Sequence, residues 1–412
     1  MQRVEAVVIG GGQAGLAMSH CLVERGIDHV VLERGRVGER WRSERWDSLR
    51  LLTPRWMSRL PGWEYEGPDP DGFMTKDELA AWLEAYAASF GAPVWTGVSV
   101  THVGSARECF LVRTWAGSWC AYNVVIPTGY CQEPAVPSCA AELPDDIMQM
   151  VPSRYRRPHQ LPLAGVLVVG ASATGIQLAA ELRDSGRPVT LAVGRHTRLP
   201  RTWRGRDILE WLDRMGVLAE RADRVADLEA SRAQPSLQLV GTPDRRTLDL
   251  DRLQASGVRL VGRVEGVTGP VVHLGDNLLE DATAADLKLL RLLQRIDDHI
   301  AEEGLDCPAG ELPGLTRVPE TPASLDLRAK GIGSVLWATG FRRSYPWLDV
   351  PVLDESGEIR HEGGITPCPG LYVMGLGFLR RRSSTFIDGQ RFDAAELADH
   401  LAGRRSVPAV CG

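Results

Sequence analysis

The stretch that most restricts how this chain folds is its opening, residues 4–33, which reads VEAVVIGGGQAGLAMSHCLVERGIDHVVLE. Residues 5–9 are a short, mostly apolar run of the kind that forms a strand buried on both faces of a parallel sheet. The run ends in a complete G-x-G-x-x-G, Gly10-Gly11-Gly12-Gln13-Ala14-Gly15. Residues 16–25 follow in helical period, Gly26 ends the helix, and residues 30–32 form a second strand closed by Glu33. Each residue type has a physical role. Gly10 permits the tight turn, Gly12 lets the backbone approach a pyrophosphate, and Gly15 lets helix and strand pack closely. The helix N-terminus then faces the phosphates with unpaired N–H groups and the positive end of its dipole. Glu33 is placed to accept hydrogen bonds from a ribose diol. The run of strand, glycine turn, helix, strand and acid describes one dinucleotide-binding unit.

A chain of 412 residues is too long for one ordinary core, so two or three domains are expected. A net charge of -6 gives no reason to expect nucleic acid as a partner. No run of eighteen uninterrupted apolar residues occurs, so no membrane association is expected and the cytoplasm is the expected address. The cysteines, at 21, 109, 120, 131, 139, 307, 368 and 411, include no C-x-x-C pair, which argues against a redox-active dithiol. Unpaired, structural thiols are the expectation. The histidines show no metal-ligand spacing, and no metal site is expected.

After Glu33 and Arg34 comes a segment rich in Trp and Arg, residues 35–62, well sited to line the ring end of a bound dinucleotide, with Trp41 a candidate contact and Trp46 and Trp56 alternatives. Thr75 to Glu78 reads as a capping box opening an amphipathic helix over 76–89. Residues 94–100, 110–115 and 119–125 read as strands of a small antiparallel element. The run 124–129 ends in Pro127-Thr128-Gly129, a strand followed by a Thr-Gly turn.

The opening pattern then restarts at residue 165. A strand leads into Gly170-Ala171-Ser172-Ala173-Thr174-Gly175, a helix spans 176–185, and a strand covers 189–193. Ser172, small enough to keep the backbone close, stands where the pyrophosphate-approach glycine of the first motif sits. A second dinucleotide site follows. Instead of an acid, the second strand is followed by Gly194-Arg195-His196-Thr197-Arg198. Guanidinium groups suit a ribose 2′-phosphate, which a carboxylate would repel, so NADPH is expected over NADH. Helices are expected at 207–215 and 284–303, short strands at 237–240 and 258–261, and a linker at 307–322. Residues 334–341 repeat the strand and Thr-Gly ending as Ala338-Thr339-Gly340, a strand is expected at 370–375, and Gly377 and Gly389 are candidates for close approach of a cofactor. A last helix is expected over 394–402.

Two dinucleotide motifs, the Gly38-Glu39-Arg40-Trp41 turn, the helix after Thr75 and Ala338-Thr339-Gly340-Phe341 together resemble class B flavin monooxygenases, within which the chain looks closest to bacterial flavin-containing monooxygenase-like oxidoreductases and is more distantly similar to plant indole-pyruvate monooxygenases. The resemblance covers nearly the whole chain. It implies an α/β fold of two Rossmann-like dinucleotide-binding domains, with the NADPH domain (161–322) inserted between two parts of the FAD domain (1–160 and 323–412). It also implies FAD on the first motif, NADPH on the second, and a cycle in which NADPH reduces FAD, oxygen adds at flavin C4a and a small organic substrate takes an oxygen atom at nitrogen, sulfur or a carbonyl carbon. Of the F-x-G-x-x-x-H-x-x-x-Y segment of that family only Tyr155 is kept, with Asp145, Ile147 and Val151 at the other fixed positions. Arg42, Thr53, Tyr155 and Arg156 are the candidate catalytic residues at the domain junction. Two other readings stand beside this one: an NADPH-linked flavoprotein reductase serving a quinone, ferredoxin or other acceptor, and a redox-sensing protein without turnover. The oligomeric state is left open, a homodimer included.

Overall fold

Parallel sheets need strands that are apolar on both faces, and two separate stretches of this chain supply them. The computed structural model describes residues 1–106 and 108–404, so Cys411 lies outside the described residues. The chain opens with β1 (Gln2–Ile9), α1 (Gln13–Glu24) and β2 (His29–Leu32). Helix α2 (Lys76–Ser89) follows, started by a full capping box between Thr75 and Glu78. Then come β3 (Val94–Trp95), β4 (Val100–Ser105), β5 (Phe110–Thr114) and β6 (Gly117–Ile126). The middle of the chain gives β7 (Met148–Met150), β8 (Gly165–Val169), α3 (Ala173–Asp184), β9 (Val189–Ala192), β10 (Arg259–Val261), α4 (Leu278–Glu302) and β11 (Ile332–Trp337). The last part gives β12 (Leu348–Asp349), β13 (Leu371–Val373) and α5 (Ile387–Ala402).

Two sheets organise these elements. The first runs β12-β4-β5-β6-β1-β2-β3, with β13 also paired to β6. The second runs β7-β11-β8-β9-β10. In both, the strand that carries a glycine motif pairs in parallel with the strand that follows its helix: Ile9 lies opposite Leu32, and Val169 opposite Ala192. On its other side each motif strand pairs with the strand that ends in a Thr-Gly turn, β6 beside β1 and β11 beside β8.

This pairing corrects two expectations. The antiparallel strands β4 to β6 are not a separate small element, because β6 pairs with β1 and joins them to the first sheet. Strand β11, expected with the returning part of the first domain, lies between β8 and β7 in the second sheet, and β7 precedes the expected boundary at residue 161. Apolar content tells that a strand is buried in a sheet but not in which sheet. By strand membership the second sheet therefore draws on residues 148–337.

The two units are joined by more than their linkers. Trp46 and Leu49, from the Trp- and Arg-rich segment, are buried in the core built on β8, β9 and α3. Arg201, 1% exposed, donates to the Leu52 carbonyl at 2.7 Å and lies over the Phe73 ring at 5.1 Å. Gly241 passes so near that a Cβ on it would stand 2.0 Å from the Leu51 carbonyl oxygen. The expectation of unpaired thiols also fails, since Cys109 and Cys120 are joined in a disulfide and Cys368 is likewise not a free thiol. Their ten-residue gap carries no signal; the β5–β6 hairpin, pairing Leu111 with Cys120, brings them together.

Candidate functional site

The first cradle is built by the turn between β1 and α1. Gly10 sits at φ +121°, a conformation that favours glycine. Gly12 begins α1 in extended backbone with no side chain capping it, so the first N–H groups of the helix are left for a ligand. A Cβ on Gly15 would stand 1.9 Å from the Gly10 carbonyl oxygen, so only glycine lets the helix seat against the turn. Glu33, 9% exposed, accepts from the Gly11 N–H at 2.6 Å and the Gly35 N–H at 2.8 Å, one on each oxygen. These bonds fix the carboxylate at the tip of β2 and leave each oxygen a further lone pair.

A cleft of about 510 Å³ runs along this cradle. Gly10, Gly12, Gln13, Ala14, Glu33, Arg34, Trp41, Thr128 and Gly129 all line it. Gly15 does not, and its part is to pack. Trp41 donates from its indole to Gln13 at 3.3 Å and carries the Arg45 guanidinium over its ring at 5.2 Å. Arg34 reaches Glu44 at 3.1 Å. The cleft also takes residues that sequence reading did not single out. Val98, Pro346 and Trp347 also line it, from separate loops. Gly375, Thr385 and Gln390 enter from the last part of the chain. Gly375, at φ +78°, fills the place assigned to Gly377: a Cβ on it would lie 3.4 Å from Ala14 Cβ. Gly377 and Gly389 line no part of the cleft; Gly389 is a packing glycine, its missing Cβ 1.9 Å from the Ser383 carbonyl oxygen. Position in a strand-ending glycine run could have flagged Gly375. Nothing local marks Gln390, which is 1% exposed, donates to the Ser384 and Phe386 carbonyls and keeps its Oε1 without a partner.

The second cradle repeats the first. Gly170 has φ +106°, Ser172 starts α3 in extended backbone with no side-chain cap, and a Cβ on Gly175 would meet the Gly170 carbonyl oxygen at 1.8 Å. Ala173 and Thr174 form the first turn of α3. Ala338 faces Gly175 as Pro127 faces Gly15, each with a side-chain carbon near the missing Cβ, at 3.5 and 3.3 Å. Ala338, Thr339 and Gly340 therefore sit beside the second motif: the Ala338 N–H donates to Val169 and Thr339 donates to the Ala135 carbonyl at 2.6 Å.

The basic cluster after β9 splits apart. Arg195 is exposed and has no ion pair or hydrogen bond among the described residues. Arg198 corrects the expectation, since it is 7% exposed and its guanidinium is held by Asp249 at 2.9 Å, Asp286 at 2.7 Å and Asp251 at 3.3 Å, leaving nothing for a ribose phosphate. His196 is corrected too: buried and bound through Nδ1 to the Gly194 carbonyl at 3.0 Å, it has its pKa lowered by desolvation and presents no charge. Arg263, which no motif marked, runs along Gly194 with its Cδ 3.6 Å from where a Cβ would be, and its side chain is 64% exposed.

The candidate catalytic residues do not gather. Arg42 pairs with Glu84 of α2 at 2.7 Å. Tyr155 is 0% exposed and donates to Glu181 of α3 at 2.9 Å, and Arg156 turns back on the Ser153 and Tyr155 carbonyls. Thr53 is half-buried next to Leu52, where Arg201 grips the segment. None of the four lines the cleft. Among the described residues, His20, Cys21 and Glu24 hold potential ligand atoms within 4.8 Å of one another, but burial pushes the Cys21 thiol up to about 12 and keeps it protonated.

With this geometry in view, comparisons with known proteins place the chain. The model of the pyridine nucleotide-disulphide oxidoreductase family matches residues 7–212. A CzcO-like uncharacterized oxidoreductase of Geobacillus kaustophilus is 32% identical over 401 residues, covering 97% of this chain and 98% of that protein. The rice indole-3-pyruvate monooxygenase YUCCA1 is 28% identical, over 90% of this chain and 86% of that one. Among solved structures, a flavin-containing monooxygenase from Stenotrophomonas maltophilia shares the fold with a TM-score of 0.68 at 20% identity, covering 98% and 99% of the two chains. No helix among the described residues is long and apolar enough to cross a membrane. The chain belongs to the pyridine nucleotide-disulphide oxidoreductase family, on its class B flavin monooxygenase side, and is a flavin-dependent oxidoreductase.

Proposed function

We propose that the protein is an NADPH-dependent flavin monooxygenase, holding FAD in the first cradle and NADPH in the second, the second unit being inserted in the first. The observation that carries this reading is the pair of matching cradles, each with a glycine whose Cβ would strike the turn's own carbonyl oxygen, at 1.9 and 1.8 Å. A cleft lined by the first motif, the Glu33 carboxylate and the partnerless Gln390 Oε1 has the donor and acceptor set that a dinucleotide with a polar ring system requires.

FAD bound there supplies the hydride acceptance and oxygen chemistry. The chain supplies binding and orientation. The free N–H groups at the start of α1 face phosphate charge, Glu33 receives ribose hydroxyls with its remaining lone pairs, and Trp41 offers a flat apolar wall stiffened by Gln13 and Arg45. Gln390 offers an acceptor to a ring N–H. On the second cradle, Arg195 and Arg263 stand at the ends of neighbouring strands, Arg195 without a carboxylate partner and Arg263 with only the exposed Glu265 at 3.9 Å, and both suit a 2′-phosphate. No acid–base residue is required beyond these.

The test is an isotope experiment on the purified yellow protein. It is first bleached anaerobically with NADPH, then supplied with ¹⁸O₂ and a panel of a tertiary amine, a thioether and a ketone. One ¹⁸O atom in an oxidised product, with one NADPH consumed per product, is expected. NADPH oxidation that passes electrons to a quinone and leaves every panel member unlabelled makes the protein a reductase. Failure of NADPH to bleach the chromophore removes the second cradle's assignment.

A further inference from the structure

Helix α4 is the longest helix here, and only one side of it is used. Leu278, Ala282, Ala285, Leu289, Leu293 and Ile296 are buried against the second unit. The opposite side carries a stripe at helical spacing, Glu280, Ala284, Leu287, Arg291 and Arg295, with Asp276 just ahead of the helix, all exposed. Steps of four, three, four and four residues keep the five helical positions on one face over about 22 Å. Leu287 is 45% exposed and the flanking Leu279 is 64% exposed. A shallow concavity occupies the first half of this face. None of the four charged side chains of the stripe has an ion pair or hydrogen bond among the described residues.

The order of the stripe is what identifies its occupant. Read from either end of an antiparallel pair it is complementary to itself: two acids, a small residue, a leucine, two arginines. We propose that this face is the two-fold interface of a homodimer, in which α4 packs antiparallel against α4 of a second copy. Glu280 then meets Arg291 of the partner subunit, Asp276 meets Arg295 of the partner subunit, and Leu287 seats on Ala284 of the partner subunit, each contact occurring twice as a two-fold axis demands. The small Ala284 lets the helices approach, the leucines remove apolar surface from water, and the charges fix direction: a parallel pairing would set acid against acid and arginine against arginine. Another protein has no reason to match a pattern that is its own complement. The proposal does not rest on the flavin and nucleotide assignments, because no residue of the stripe lines the cleft of the first cradle.

Charge reversal gives a decisive test by light scattering coupled to size exclusion, on the full chain at micromolar concentration and low salt. Wild type is expected at twice the chain mass. Arg291→Glu and Glu280→Arg are each expected to run as monomers, and the double variant Glu280→Arg/Arg291→Glu, which restores every pair with its signs exchanged, is expected to run as a dimer again. All positions being exposed, the variants should keep the far-ultraviolet circular dichroism spectrum of wild type. In addition, Ala284→Cys combined with Leu287→Cys is expected to give a covalent dimer on mild oxidation, which wild type does not. A monomeric wild type, a dimer indifferent to the single reversals, or a double variant that stays monomeric overturns the proposal.

Discussion

At the scale of single residues, the arginines after β9 show how position in a fold divides chemically equal side chains. Arg198 and Arg195 are three residues apart, yet one is locked among three carboxylates and the other is free in solvent. Substituting Arg198 by Ala strands buried acids and should destabilise the fold by about 3–5 kcal/mol in denaturant titrations, without altering coenzyme preference. Arg195→Gln should leave stability unchanged and lower kcat/KM for NADPH by roughly 10- to 100-fold relative to NADH, the worth of one or two charge-assisted bonds. Equal losses for both coenzymes would remove Arg195 from the 2′-phosphate site. Asp393 is the second residue with a measurable signature. Fully buried in α5, with Arg381 Nη1 at 3.6 Å, it has its carboxyl pKa raised to about 6 by desolvation. A raised carboxyl lets the folded chain keep a proton that the unfolded chain releases. Its contribution is complete below the ordinary value of 3.8 and is lost as pH rises through about 6. Asp393→Asn should therefore stabilise the protein by roughly 2–3 kcal/mol near pH 8, a gain that shrinks to nothing near pH 4. A gain independent of pH would point to packing instead.

At the scale of elements, each cradle is a turn and a helix that depend on one missing methyl. Gly15→Ala drives a Cβ into the Gly10 carbonyl and Gly175→Ala into the Gly170 carbonyl, both below 2 Å, where backbone has to shift. The two substitutions should separate the cofactors. Gly15→Ala is expected to yield colourless protein; Gly175→Ala should keep its flavin absorbance but lose anaerobic bleaching by NADPH at concentrations that saturate wild type. The opposite pairing of losses would exchange the two assignments. The capping box of α2 and the strands β1 and β8 were legible in sequence because their signals are local: a Thr with a Glu three residues on, and unbroken apolar runs before a glycine turn. The start of α5 was not legible, since Gly389 breaks helical propensity near its N-terminus, and the helix begins at Ile387 rather than at residue 394.

At the scale of the whole molecule, the contact between units is broad, taking in Arg59 with Asp213, Arg245 with Asp71 and Arg382 with Glu220 as well as the core around Met57. Arg201 and Gly241 of the second unit hold the segment 51–52 of the first, which leads on to Thr53. A methyl at Gly241 would stand 2.0 Å from the Leu51 carbonyl oxygen and must wedge the two units apart. Gly241→Ala should leave both nucleotides bound yet slow flavin reduction by NADPH on the order of 10- to 100-fold, as misplacement of reacting partners does. Unchanged reduction kinetics would show that the seam has no part in bringing the two cofactors together.

The amino-acid sequence by itself determined the two nucleotide units, since glycine turns, buried strands and helix starts arise from interactions among residues close along the chain. What only the tertiary structure decided is membership and availability. Strand β11 carries the same apolar run and Thr-Gly ending as β6 but pairs with β8, and no local property of residues 332–337 distinguishes the two sheets. Arg198 lost the role that chain order gave it, because whether a guanidinium is free depends on the carboxylates that other elements bring to it. Gln390 joined the cleft, and the disulfide joined Cys109 to Cys120, for the same reason. Hydrogen-bonding partners distant in the chain are chosen by packing, and packing is a property of the folded whole.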